Sequence, residues 1–197
     1  PLLQKFKVAY PDIRVHLQLT DRNVDLIGEG FDVAVRSSDQ VDSTLVVRHL
    51  APERRMVCGT PNYFETYGRP QTPKDLLNHN CLMLRFPGSR EYRWHFAFGE
   101  DETSYLVKGT MDSNSYEVLR EWTMASLGLS MLSTAEVSDE LRSGVLQPVL
   151  TDFLPSIASY KLVLPKRQLM PQKTRSFVDF LKKQIGREPY WDQGIGI

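Results

Sequence analysis

Period-two and period-3.6 apolar patterns take turns along this sequence, and that alternation points to an α/β fold. Leu2, Phe6 and Ala9 recur at helical spacing, with Leu3 and Tyr10 flanking the stripe. After Pro11-Asp12 the period changes, and Val15, Leu17 and Leu19 share one face of an expected strand from Arg14 to Thr20. Asp21 to Glu29 is expected to form a helix, capped by Thr20 or Asp21 and closed near Gly28 and Gly30. Phe31 to Val35 is a short, nearly continuous apolar run, as a buried parallel strand requires, so the series implies a right-handed crossover.

The alternation continues to the end. Residues 45–50, 54–60 and 81–86 read as strands, while prolines open short helices at Pro61–Tyr67 and Pro73–His79. Tyr92, Trp94, Phe96 and Phe98 share one face of a hairpin that turns at Gly99-Glu100-Asp101. Ser113 to Leu127 is a helix ended by Gly128, followed by a strand at Leu129–Leu132 and a helix from Thr134 to Ser143 stopped by Gly144. A strand at Tyr160–Leu164 and a helix at Pro171–Ile185 complete the pattern; past Gly186 periodicity is lost and the tail reads as loose.

Charge and motif content exclude several functions. The 24 basic and 24 acidic residues cancel, whereas a domain that grips phosphate backbones carries a clustered basic excess. The aromatic face is therefore read as a packed sheet face, not a platform for stacking bases. Cys58 and Cys81 sit in apolar runs without metal-ligand spacing and read as reduced, buried thiols suited to the cytoplasm. No apolar run is long enough to span a bilayer, so no membrane partner is expected. His16, His49, His79 and His95 lack a second ligand at metal-binding spacing, and no nucleophile elbow or phosphate loop occurs. Gly28-Glu29-Gly30 lacks the third glycine of a dinucleotide loop. No metal, cofactor or catalytic set is expected, and the chain does not read as an enzyme.

The run Asp21-Arg22-Asn23-Val24-Asp25-Leu26-Ile27-Gly28-Glu29-Gly30-Phe31-Asp32-Val33-Ala34-Val35-Arg36 resembles the effector-binding domain of LysR-type transcriptional regulators. The resemblance extends through Leu2-Leu3 with Phe6 and Tyr10-Pro11-Asp12-Ile13, Leu50-Ala51-Pro52 with Cys58 and Pro61 to Tyr63, and Thr72-Pro73-Asp75-Leu76 with His79-Asn80-Cys81-Leu82. It continues through Gly128-Leu129 with Leu132, where Ser133 replaces a common proline, and covers essentially residues 1–187.

The resemblance implies a two-lobe, type 2 periplasmic-binding-protein-like fold with two crossing strands and an interlobe cleft. Residues 1–58 and 163–197 are expected to form one lobe and 59–162 the other. A chain that opens at Pro1, inside a helical pattern and without Met, reads as a fragment. The family's winged helix-turn-helix and the lobe's first strand are expected to precede it. DNA is then a partner only through that missing module. The family likeness also implies a homodimer, and a tetramer for the full-length protein, pairing through the helices Leu2–Tyr10 and Thr134–Ser143 with Phe6 in the seam.

In open α/β sheets ligands bind beyond strand ends, beside helix N-termini. Thr20 and Asp21, then Arg36, Ser37 and Ser38, then Asn114 and Ser115 occupy such loops and are the expected ligand-binding residues for a small, anionic effector. Each has a plainer reading: Thr20, Asp21 and Ser113 as helix caps, Arg36 as an ion-pair partner, Ser37 and Ser38 as loop residues. A solute-binding protein for transport is the alternative function, and an enzyme on the same scaffold the third.

Overall fold

The computed structural model describes residues 2–20, 24–37, 44–85, 92–154, 157–166 and 169–195. In chain order its helices are α1 (Leu2–Ala9), α2 (Pro61–Tyr67), α3 (Tyr116–Met124), α4 (Thr134–Ser143) and α5 (Gln172–Ile185). Its strands are β1 (Ala34–Arg36), β2 (Leu45–Glu53), β3 (Arg55–Gly59), β4 (Cys81–Leu84), β5 (Arg93–Phe98), β6 (Asp101–Leu106), β7 (Asp112–Ser113), β8 (Leu129–Ser133), β9 (Gln147–Val149) and β10 (Ala158–Pro165). The chain divides into two compact units, Pro1–Pro52 with Ala158–Tyr190, and Glu53–Ile157 with Trp191–Ile197.

In the first unit β10 lies between β1 and β2, and its Leu162, Val163 and Leu164 are buried in succession, as suits a central strand covered on both faces. The aromatic side of α1 packs on α5. Phe6 is fully buried, edge-on to Phe177 at 5.0 Å and Phe180 at 5.2 Å between ring centroids.

The stretch 14–35 departs from the crossover expected of it. Residues 14–20 join no strand, and Val15, Leu17 and Leu19 are exposed. Alternation produces an apolar face, but a strand also needs a neighbour to accept its backbone bonds. β1 pairs antiparallel with β10, not in parallel, in the register Ala34↔Val163 and Arg36↔Lys161. The described part of the expected 21–29 helix is a short turn capped by Asp25, whose Oδ1 accepts from the Ile27 and Gly28 amides at 3.1 and 2.9 Å. It closes where expected. Gly30 takes φ +75, its N–H bonds to Ile27 O and the Phe31 N–H to Leu26 O, a Schellman ending that favours glycine.

The second unit holds a five-stranded sheet ordered β7-β4-β8-β3-β9, antiparallel around β3 and parallel around β4. Alternate residues feed two cores. Val57, Cys81, Met83 and Leu129 pack on one face with Tyr63, Trp94 and Phe96, while Cys58, Leu82 and Leu132 pack on the other with Leu119, Val137 and Leu146. β5 and β6 form the expected hairpin, with Gly99 at φ +66. Burial of Trp94 and Phe96 establishes that face as core. Both cysteines are free and buried, and desolvation pushes both thiols up to about 12, which keeps them unreactive.

The described part of the tail is packed, not loose as expected. Trp191 and Asp192 are buried in the second unit. Asp192 pairs with Arg54 and accepts from Thr134 Oγ1 at 2.6 Å, and Arg142 donates to the carbonyls of Trp191 and Gln193. Lost periodicity signals the absence of a helix, not the absence of packing. No helix among the described residues is long and apolar enough to cross a membrane.

Candidate functional site

Thr20, Arg36 and Ser37 belong to the first unit, Asn114 and Ser115 to the second; Asp21 and Ser38 lie outside the described residues. Thr20 is exposed at the end of the extended run, and Ser37 is half-buried just past β1. Arg36, the last residue of β1, donates from Nη2 to the Val24 carbonyl at 3.0 Å and so ties the Asp25-capped turn to the strand. That is a structural role, though to a carbonyl and not to the carboxylate expected. Four of the guanidinium's five N–H donors remain outside that bond.

In the second unit, β7 runs parallel to β4, pairing Ser113 with Leu84, and delivers the Ser113-Asn114-Ser115 loop to the start of α3. Ser113 Oγ accepts from the Ser115 amide at 3.1 Å, which tightens the loop. The helix cap is Ser115, not Ser113: Ser115 Oγ accepts from the Val118 amide at 3.4 Å. Three successive polar residues all suit a cap, and the strand pairing of Ser113 leaves the position to Ser115. Asn114 between them is exposed, with an amide able both to donate and to accept. Hydroxyl and amide groups of this kind can orient a small polar molecule; among the described residues no group of His, Cys, Asp and Glu could hold a metal ion.

Beside this loop lies a buried charged cluster that periodicity and motif reading missed. Tyr116, the first residue of α3, shares an electrostatic environment with Glu53 of β2, Arg55 of β3 and Glu136 of α4. Arg55 binds Glu53 Oε1 through both Nε and Nη2, at 3.0 and 2.8 Å. Glu53 Oε2 and Glu136 Oε2 are buried without a hydrogen-bond partner. Burial pushes the Glu136 carboxyl up to about 7; the Ser133 backbone amide opposes the shift, the Glu53 charge adds to it, and Arg55 offsets part of it. Burial likewise drives the Tyr116 phenol up to about 12, so it stays neutral. The only local signal was Ser133-Thr134-Ala135-Glu136, the spacing of a capping box at the head of α4. Glu53 and Arg55 reach the same place from a distant part of the sequence.

The chain matches the LysR substrate binding domain family over residues 1–186. It is 33% identical over 182 residues to the HTH-type transcriptional regulator YcaN of Escherichia coli K12, covering 92% of this chain and 59% of the relative. It is 29% identical over 181 residues to the HTH-type transcriptional activator TtdR of the same strain, covering 92% and 58%. The chain thus spans less than two thirds of the length of these relatives. Among solved structures, the CrgA regulatory domain of Neisseria meningitidis superposes with a TM-score of 0.83 at 30% identity, covering 94% of this chain and 91% of that one. The longer CrgA chain gives a TM-score of 0.85 at 29% identity, covering 95% and 63%.

Proposed function

Because this chain belongs to the LysR family, as its substrate-binding domain, we propose that it senses a small-molecule effector for a bacterial transcriptional regulator. It has the two-lobe, periplasmic-binding-protein-like fold of LysR regulatory domains. The carrying observation is the family match over residues 1–186, joined to relatives named as transcriptional regulators. Those relatives favour a sensor over a transport protein of the same fold.

The proposed effector is a small, polar, anionic metabolite held by Thr20, Ser37 and Asn114. Asp21, Arg36, Ser38 and Ser115 complete the lining. Support comes from the remaining donors of Arg36 and from the start of α3, where helix-end N–H groups favour negative charge by about 0.3–1 kcal/mol, an effect that Glu117 in the first turn partly offsets. Ser115 contributes as the cap that fixes the loop. The domain acts without cofactor or catalysis, in the cytoplasm. It governs DNA binding by a winged helix-turn-helix and does not itself grip DNA, in keeping with its zero net charge.

Pairing into a homodimer, and a tetramer in the full-length regulator, is proposed through α1 and α4. Phe6, expected in that seam, is instead buried inside its own unit by Phe177 and Phe180. The surface α1 offers a partner includes Val8, which is 85% exposed. The function is tested by challenging the chain with a metabolite panel, reading both melting temperature and chemical turnover. A compound that raises the melting temperature and is recovered unchanged supports a sensor; a compound that is converted contradicts it.

A further inference from the structure

A cavity whose lining shares no residue with the loops above lies wholly within the first unit. About 240 Å³ in volume, it opens beside the start of α5, walled by Asp32, Arg48, Leu164, Pro171, Thr174 and Arg175 among others. α5 is 14 residues long and begins after Pro171, which offers no side-chain cap, and its first turn holds no acidic residue. The amides of Gln172, Lys173 and Thr174 therefore have no intrahelical acceptor at the positive end of the helix dipole.

Thr174 supplies the independent observation. The residue is 5% exposed and its Oγ1 is buried without a hydrogen-bond partner. A helical threonine ordinarily bonds the carbonyl four residues back, but Thr174 stands in the first turn, and Met170 precedes the helix. A buried, unmade hydrogen bond costs stability unless something else completes it. The charges around it select the sign of that partner. Lys173 Nζ holds Asp32 at 2.8 Å and offsets its charge, whereas among the described residues no carboxylate pairs with the guanidinium of Arg48 or Arg175. The cavity is lined by two cationic forks and by Thr174, whose hydroxyl is unsatisfied, beside the uncapped head of α5.

We infer that this cavity is a second ligand site, taking a small oxyanion, a phosphate or a carboxylate, between Arg48, Arg175 and the head of α5. The anion accepts from the amides of residues 172–174, pairs with the guanidinium forks and completes the Thr174 hydroxyl as the side chain adjusts toward it. Apolar Leu164 at the floor limits the guest to a compact one. The site is separate from the proposed effector loops, since none of Thr20, Ser37 or Asn114 lines it.

The test titrates the 197-residue chain with inorganic phosphate and, separately, succinate, at constant ionic strength set with sodium chloride, following amide and arginine Nε–H signals by NMR. The expected result is saturable shifts centred on residues 172–174, Arg48 and Arg175 with at least one oxyanion; whichever saturates at lower concentration identifies the head group. Combining Arg48→Gln with Arg175→Gln, both at exposed positions, should weaken binding at least about tenfold. Thr174→Val, which leaves charge unchanged and removes the orphan hydroxyl, should weaken it too while keeping the fold. Thr20→Val and Asn114→Ala should leave this response intact, which separates it from the effector loops. Non-saturating shifts with both oxyanions, or binding undiminished by the arginine pair or by Thr174→Val, would overturn the assignment.

Discussion

Glu136→Gln should make the second unit more stable at neutral and alkaline pH, and less sensitive to pH. In the folded chain the Glu136 carboxyl is raised from an ordinary 4.5 to about 7, first by burial and then by the Glu53 charge, against the Ser133 amide and Arg55. A carboxyl whose folded value is raised contributes stability that is fully present below about 4.5. That contribution is lost as pH climbs through about 7, because the folded state must then hold a charge it would rather shed. The difference between the two values corresponds to about 3 kcal/mol once Glu136 is ionised. Glutamine keeps the shape and an acceptor for the Ser133 amide but never ionises. The variant should therefore gain about 2–3 kcal/mol over the parent at pH 8 and little at pH 4.5. Urea unfolding followed by tryptophan fluorescence is the assay, because Trp94, Trp122 and Trp191 all lie in the second unit and report on it alone. A parent and variant with parallel stability-versus-pH curves, or a variant less stable at pH 8, would show that folding does not raise the Glu136 carboxyl.

Asp192→Ala should cost the second unit about 3–5 kcal/mol by leaving Arg54 and the Thr134 hydroxyl without their buried partner, read by the same fluorescence unfolding. Gly109→Ala should cost at least about 2 kcal/mol, since a Cβ there would fall 1.9 Å from the Cys81 carbonyl oxygen and force β4 and its neighbour apart. Phe6→Ala should loosen the first unit by about 3–5 kcal/mol, detectable as faster hydrogen exchange in α1 and α5 with fluorescence unchanged. Val8→Asp should leave both units folded yet weaken self-association in light scattering, if α1 lies in the seam.

Where the pattern carried a complete physical instruction, the elements formed close to their expected bounds. Pro61 with Gly68 brackets α2, Gly144 in the left-handed region ends α4, and the hairpin turns at Gly99. Where the instruction was partial, the outcome depended on partners. Residues 14–20 have an apolar face but no ladder, and three adjacent polar residues before α3 could not say which would cap it. The tail's packing, the Glu53–Arg55–Glu136 cluster and the unmet hydroxyl of Thr174 all arise from contacts between distant segments, to which periodicity is blind. The proposed effector loops were nominated from strand-end and helix-start positions, because those are local features.

Calorimetric titration of a stabilising metabolite into the parent, Thr20→Val and Asn114→Ala chains tests whether the proposed anionic effector is held through Thr20 and Asn114. One saturable event is expected in the parent, and either substitution should weaken it at least about fivefold by removing a hydrogen bond worth about 1 kcal/mol net or more, with unliganded melting temperatures nearly unchanged. Undiminished affinity in both substituted chains would contradict that mode of binding.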